Sequence, residues 1–307
     1  MSSIPSIKLN TGASIPAIGL GGFSSDPNIA DSEKWFLTAF QAGYRHIDTA
    51  QIYRTEPYVG AAVRASGLPR GDVFVTTKLP WHHTKDVARS FDDSLRSLGL
   101  DYVDLYLMHF PQSVEYPTGY DGPSTFEEVI TTLKAVDTPT FNETWAEMEK
   151  LSTSRTRAIG VSNFSIKTLK QLLKTAKVVP AVNQIEIHPY LAQTELLEYC
   201  RKKGIAVTAY SPSGHEKVRN DPTIMALAAK YGVSPTQIIL AWHVARGVSA
   251  VPKSAHPERQ KKNVNLPALS AEDVASVTAL DRNERIVNKL GPDGKLYGWT
   301  AEQYGWN

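Results

Sequence analysis

The chain has 307 residues, 42% hydrophobic and 21% charged, ordinary proportions for a water-soluble globular protein. Lys plus Arg number 33 against 31 Asp plus Glu, and this near-balance excludes a general electrostatic pull toward nucleic acid or an anionic membrane. A single cysteine, Cys200, rules out an intramolecular disulfide, so the fold calls for no oxidising compartment.

The opening "MSSIPSIKLNTG" lacks the basic start and apolar core of a signal peptide. Runs such as "IILAW" fall far short of the roughly 20 apolar residues of a membrane span. The final "EQYGWN" carries no address or lipidation motif. A cytoplasmic protein is the expectation. Residues 1–16 read as a β-hairpin turning at Asn10-Thr11-Gly12.

From residue 17 onward, short apolar runs alternate with amphipathic stretches. "AIGLGG" (17–22) precedes "SEKWFLTAFQAG", "RHIDTA" (45–50) precedes "PYVGAAVRASG", and "VFVTTK" (73–78) precedes "KDVARSFDDSLRSLG". "VDLYLMH" (103–109) precedes "NETWAEMEKLS", "TRAIGVS" (156–162) precedes "IKTLKQLLKTA", and "PAVNQIEI" (180–187) precedes "QTELLEYCRKKG". "IAVTAYS" (205–211) precedes two helical stretches, and "VSAVPKS" (248–254) precedes "PERQKKN". Continuous apolar strands alternating with helices form a parallel sheet covered by helices. Eight such units predict a closed (β/α)₈ TIM barrel of class α/β, with the hairpin plugging one end. No linker or composition break divides residues 1–307, so one domain is expected. Two long segments, 110–140 and the tail from about 285, are expected as loops on the C-terminal face of the barrel.

In such barrels chemistry sits where strands end. Strand ends here supply Asp48 and Tyr53 from "HIDTAQIY", Lys78 from "FVTTKL", and His109 from "YLMHFP". Singly each has a bland reading: a helix cap, half-buried packing, a snorkelling lysine, a core histidine. Together, on consecutive strands, they make a proton relay. An ammonium beside a tyrosine favours phenolate and lowers the phenol pKa, while a carboxylate offsets the cost of burying the lysine. Asp48, Lys78 and Tyr53 then protonate a carbonyl oxygen that His109 orients. No side chain supplies hydride, so a nicotinamide is implied and no metal is called for.

"GYRHIDTAQIY", "FVTTKL", "DYVDLYLMHFP", "AIGVSNFS", "NQIEIHPY", "TAYSPSG" and "VPKSAHPERQKKN" resemble, in order and spacing, the signature segments of the aldo-keto reductases. The resemblance is greatest to fungal, glycerol dehydrogenase-like members that reduce aldehydes, glyceraldehyde and sugars. It implies Tyr53 as general acid, Asp48 and Lys78 as its tuning groups, and His109 as the group that positions substrate.

"GLGG" (19–22) lacks the spacing of a dinucleotide-binding turn, so the cofactor is held elsewhere. Ser162, Asn163 and Gln184 suit a carboxamide, although a Ser-Asn pair also caps helices. Tyr210, with Ser211 after it, ends a strand where a flat ring could stack. Lys253, Ser254 and Arg259 favour a phosphate monoester, with a solvated basic face as the alternative. The resemblance makes these three the 2′-phosphate site and Asn263 an adenine contact, implying NADPH/NADP+ in preference to NADH. Lys262 and His256 depart from the glutamate and threonine common in relatives.

The substrate mouth departs too, with Phe23, Pro80 and Phe110 where relatives carry tryptophan, Trp81 displaced by one, and Gly22 at a common threonine position. Smaller walls predict a roomier pocket. The short segment "SPSGHEKVRN" predicts a loop that clamps the cofactor loosely. The expected partner is a small carbonyl substrate, with no nucleic acid, no membrane, and a monomer or weak dimer. Two rival functions remain: a Schiff-base lyase or aldolase using Lys78, and a non-catalytic nicotinamide-binding regulatory subunit.

Overall fold

The apolar runs form short parallel strands, and a computed structural model describes them within residues 4–24, 29–123 and 126–306. They are β1 (Leu20–Gly21), β2 (His46–Asp48), β3 (Phe74–Leu79), β4 (Leu105–Met108), β5 (Ile159–Ser162), β6 (Val182–Glu186), β7 (Ala206–Tyr210) and β8 (Ser249–Ala250). Each pairs in parallel with the next, so sequence order is spatial order. A parallel bridge between Ile18 and Ala250 joins the edges, with the Gly19 amide 2.9 Å from the Ala250 carbonyl and the Ala250 amide 2.8 Å from the Ala17 carbonyl. The sheet therefore closes into the (β/α)₈ barrel that the eight units predicted.

The helices cover it: α1 (Ser32–Ala42), α2 (Glu56–Ala65), α3 (Val87–Leu98), α4 (Phe141–Met148), α5 (Ile166–Leu172), α6 (Thr194–Lys202), α7 (Pro222–Tyr231), α8 (Pro235–Ala245) and α9 (Pro257–Val264) among them. In α3, Val87, Phe91, Leu95 and Leu98 fall on one face and are buried, while Gly99 at φ 59° stops the helix. Ser234 and Gln237 close a capping box on α8. Where α2 meets the end of α3, only glycine fits, because a Cβ on Gly60 would lie 1.6 Å from the Leu98 carbonyl oxygen. Among the described residues no single helix is long and apolar enough to cross a membrane.

The hairpin pairs Ser6–Lys8 with Ser14–Pro16, and Gly12 at φ 87° takes the left-handed turn position. Its Leu9 and Ile15 pack with Phe74, Leu105, Leu107, Ala158, Ala181 and Val182 at the strand starts, plugging the N-terminal end. At the other end, the segment expected as a long loop is more ordered: Ser113–Glu115 pairs antiparallel with Lys134–Val136 around a short helix, Phe126–Thr131. The tail forms a second hairpin, Lys295–Leu296 with Trp299–Thr300, then the turn Ala301–Tyr304. Tyr304 is fully buried in a cluster with Trp81, Phe110, Val114 and Tyr116, which fastens the tail to the 110–140 segment.

Candidate active site

Successive residues of a strand point to opposite faces, so Lys78 faces the lumen while Thr77 faces α2 and donates to Glu56 at 2.6 Å. Lys78 has no exposed surface, which removes the snorkelling alternative. Its ammonium donates to Asp48 Oδ1 at 2.6 Å and to the Thr49 carbonyl at 2.8 Å. The second Asp48 oxygen accepts from Gln184 Nε2 at 2.6 Å, so Gln184, expected at a carboxamide, first of all orients Asp48. Tyr53 stands on the turn Gln51–Tyr53 just after β2, with Lys78 Nζ 4.9 Å from the centre of its ring. The Tyr53 hydroxyl and His109 Nε2 lie 3.3 Å apart. The four expected groups thus meet at the C-terminal mouth of the barrel.

Their electrostatics correct one expectation. Lys78 was expected to pull the Tyr53 pKa down, yet burial and the Asp48 carboxylate hold that phenol well above its usual 10. The ammonium is committed to Asp48 and Thr49, and burial lowers its own pKa against the pull of Asp48. Burial and the Lys78 charge hold His109 well below the usual imidazole range, so its ring is neutral. A protonated phenol beside a neutral imidazole gives two groups able to donate to one oxygen.

Beside this centre, the Ser162 hydroxyl donates to the Gln184 carbonyl at 2.7 Å, and Asn163 Nδ2 donates to the His109 carbonyl at 2.9 Å. Asn163 and Ser211 hold left-handed φ values of 66° and 46°, a strained backbone of the sort that clusters at functional sites. The Tyr210 hydroxyl donates to Asn163 Oδ1 at 2.6 Å and accepts from Asn288 Nδ2 of the tail. Asn288 was not foreseen.

Lys253, Ser254 and Arg259 gather where β8 leads into α9. Lys253 and Arg259 are exposed and in no ion pair among the described residues, and Lys253 lies 5.2 Å from the centre of the Trp35 ring. His256 precedes α9 without a side-chain cap, leaving first-turn N–H groups free of one, while its own amide donates to Ser254 Oγ at 3.3 Å. Two cations outside any ion pair among the described residues, a hydroxyl and an uncapped helix start are a donor set that fits a phosphate dianion. Gln260 braces it, donating to the Ser254 and Trp35 carbonyls at 2.8 Å each. Asn263 is buried, and Lys262 is exposed.

On the substrate side, the Phe23 ring meets Tyr53 edge-on at 5.3 Å. Trp81 lies 5.5 Å from His109 and 5.1 Å from Phe110, and its indole N–H donates to Tyr116 at 2.8 Å. The displaced tryptophan does reach the mouth. Tyr297 of the tail stacks on Trp81 at 5.1 Å and meets Phe110 at 5.2 Å, returning aromatic surface that the mouth had been expected to lack. Only the aromatic content of "KLYGWT" hinted at this. At Gly22 a Cβ would lie 2.7 Å from the Asp48 carbonyl oxygen, so this backbone has no room for a threonine there. A cleft of about 1530 Å³ lies to one side, between α5 and the tail, and contains none of the four central residues.

The Aldo/keto reductase family profile matches residues 17–282, most of the barrel. A glycerol 2-dehydrogenase (NADP(+)) of Saccharomyces cerevisiae is 45% identical over 299 residues, covering 91% of each chain. An aldehyde reductase of the same yeast is 43% identical, covering 94% of this chain and 95% of its own. A crystal structure of a Bombyx mori aldo-keto reductase in complex with NADP superposes with a TM-score of 0.83 at 34% identity, covering 94% of this chain and 96% of that one. Barrel, mouth and matched length agree, and the chain belongs to the aldo/keto reductase family.

Proposed function

We propose that the protein is a one-domain NADPH-dependent reductase of aldehydes, and of ketones of similar size, with Tyr53 as proton donor. The carrying observation is the Tyr53 hydroxyl, kept protonated and 3.3 Å from neutral His109, above a lysine that is wholly buried and paired. A carbonyl oxygen within reach of both groups accepts a hydrogen bond from each, which polarises it and fixes the face presented to the cofactor. As negative charge develops on that oxygen, Tyr53 passes its proton to it, and the Lys78 ammonium 4.9 Å from the ring steadies the phenolate left behind. Asp48, held by Gln184, keeps Lys78 aimed. Bound NADPH supplies the hydride. Ser162 and Asn163 are read as holding its carboxamide, Tyr210 and Ser211 its nicotinamide end, Lys253, Ser254 and Arg259 its 2′-phosphate, and Asn263 its adenine.

Relatives named for NADP support this choice of cofactor, and those named for glycerol and aldehydes support aldehyde reduction that is reversible as alcohol oxidation; the proposed range is small, sugar and aryl aldehydes. Trp81, Phe110, Phe23 and Tyr297 supply the apolar wall for such substrates. The reading includes a cytosolic enzyme, monomer or weak dimer, and the near-balanced charge supports one without nucleic-acid or membrane partners. A Schiff-base lyase is disfavoured because the Lys78 amine is paired and turned to Asp48 and Thr49. A binding-only role is disfavoured because all four groups are assembled.

The test follows NADPH oxidation against an aldehyde panel, with Tyr53→Phe alongside. The variant is expected to lose about 10²–10⁴-fold in kcat, the usual worth of a positioned general acid. Equal turnover by the variant rejects Tyr53 as the donor, and a borohydride-trapped adduct on Lys78 would revive the lyase.

A further inference from the structure

The period-two alternation that turns Gln184 into the lumen does the same to Glu186, the last residue of β6. Glu186 has no exposed surface, and the mechanism makes no use of it. Three consecutive amides of the tail converge on its carboxylate: Ile286 and Val287 at 2.6 and 3.1 Å from Oε1, and Asn288 at 3.4 Å from Oε2. His188 Nε2 lies 3.1 Å from Oε1, and Arg285 Nη1 lies 3.8 Å from Oε2. Successive backbone N–H groups wrapped about one anion form a nest, here with the anion supplied by the barrel and the nest by a segment about a hundred residues later. Burial acts to raise the Glu186 pKa, but the hydrogen bonds from His188, Ile286 and Val287 outweigh it and hold the carboxylate below its ordinary value.

The clasped segment reaches both sides of the centre. Glu284 pairs with Lys217 of the loop after β7, and Asn288 donates to the Tyr210 hydroxyl, which itself donates to Asn163. Further on, the same tail lays Tyr297 on Trp81. The neighbouring contacts of the tail, Arg282 over the Tyr190 ring and the Glu284 amide on the Tyr190 carbonyl at 2.9 Å, run along the same edge of the barrel. Of these, Glu186 is the one that is charged and fully buried, and its loss leaves three amides without their acceptor.

We propose that Glu186 is a positioning residue for substrate: it anchors residues 286–288 of the tail across the end of β7 and thereby sets Tyr297 against Trp81 and Phe110. The functional half of this assignment rests on the carbonyl-reductase reading, and the anchoring half stands without it.

The experiment uses the full chain with Glu186→Gln and, in parallel, Val287→Pro, which removes one donor from the exposed side of the clasp and leaves the barrel alone. Hydrogen exchange is followed at residues 284–290 in protein without cofactor, and steady-state kinetics are run with an aldehyde and NADPH. Both variants are expected to exchange the amides they retain in this stretch at least about tenfold faster. Both are also expected to raise aldehyde KM by about tenfold with a much smaller change in kcat, whereas Glu186→Asp, which keeps the charge, recovers part of the loss. Unchanged exchange in Val287→Pro and in a folded Glu186→Gln overturns the anchor. Faster exchange with unaltered KM overturns the role toward substrate. Absence of NADPH-dependent activity in the wild-type chain defeats the carbonyl-reductase reading instead, and leaves the exchange result to judge the clasp.

Discussion

Lys78 and Asp48 are both charges withdrawn from solvent, the lysine side chain wholly buried and the aspartate nearly so. A buried pair is weak evidence of net stability, but breaking one is severe because the partner is left uncompensated. Asp48→Asn is therefore expected to cost about 3–5 kcal/mol in chemical denaturation, and Lys78→Met a similar amount. The double variant should recover much of that sum, because it removes both charges. Additive losses in the cycle would mean that the two residues act separately, against the geometry described. The sequence carried this pair openly, as a lysine ending an apolar strand and an aspartate ending the strand before it. It could not carry the direction of the Tyr53 shift. That depends first on burial and then on Asp48, Tyr210 and Tyr297 around the phenol, and Tyr297 comes from a part of the chain with no readable period.

At the scale of elements, α2 is joined to the barrel by an unusual contact. Glu56 is buried beneath it and accepts from Thr77 at 2.6 Å, with the hydroxyls of Ser94 and Ser97 close by. Burial raises its pKa to about 7 from an ordinary 4.5, despite those hydroxyls. The folded state therefore holds this proton to higher pH than the unfolded chain does, so stability falls as pH rises from 4.5 to about 7 and is level above. Glu56→Gln keeps the shape and removes the titration, and serine and threonine hydroxyls can reverse their roles to suit an amide. Urea unfolding at about pH 5 and about pH 8 should show the variant gaining on the wild type at the higher pH, by up to a few kcal/mol. A gain at the lower pH instead would mean that Glu56 is stabilised as the anion. The strands and helices themselves were legible because their signals are local: unbroken apolar runs for buried parallel strands, and amphipathic stretches for the helices between them. The 113–136 pairing and the tail hairpin were not, since strands three or two residues long leave too little pattern to see. Glu186 read as one more strand residue because the tail amides that clasp it lie about a hundred positions away.

At the scale of the molecule, a net charge of +2 conceals an uneven surface. Lys253 and Arg259 stand outside any ion pair among the described residues beside the uncapped start of α9, an arrangement that favours an anion. If that anion is the 2′-phosphate, discrimination between the two nicotinamide cofactors belongs to this corner and is independent of the chemistry at Tyr53. Lys253→Met with Arg259→Gln is then expected to raise KM for NADPH by roughly 10–100-fold, the worth of one or two hydrogen bonds to a charged group. KM for NADH, which has no such phosphate, should move little, and kcat with either cofactor should stay near the wild-type value because neither residue touches the reacting carbon or oxygen. Added salt should weaken NADPH binding in the wild type and do so less in the double variant, as screening acts on a contact that the variant has already lost. Equal losses for NADH and NADPH would show that the two cations hold a part common to both cofactors. The basic corner would then serve the pyrophosphate, and the loop after β7 would have to carry less of it than its pairing with the tail suggests.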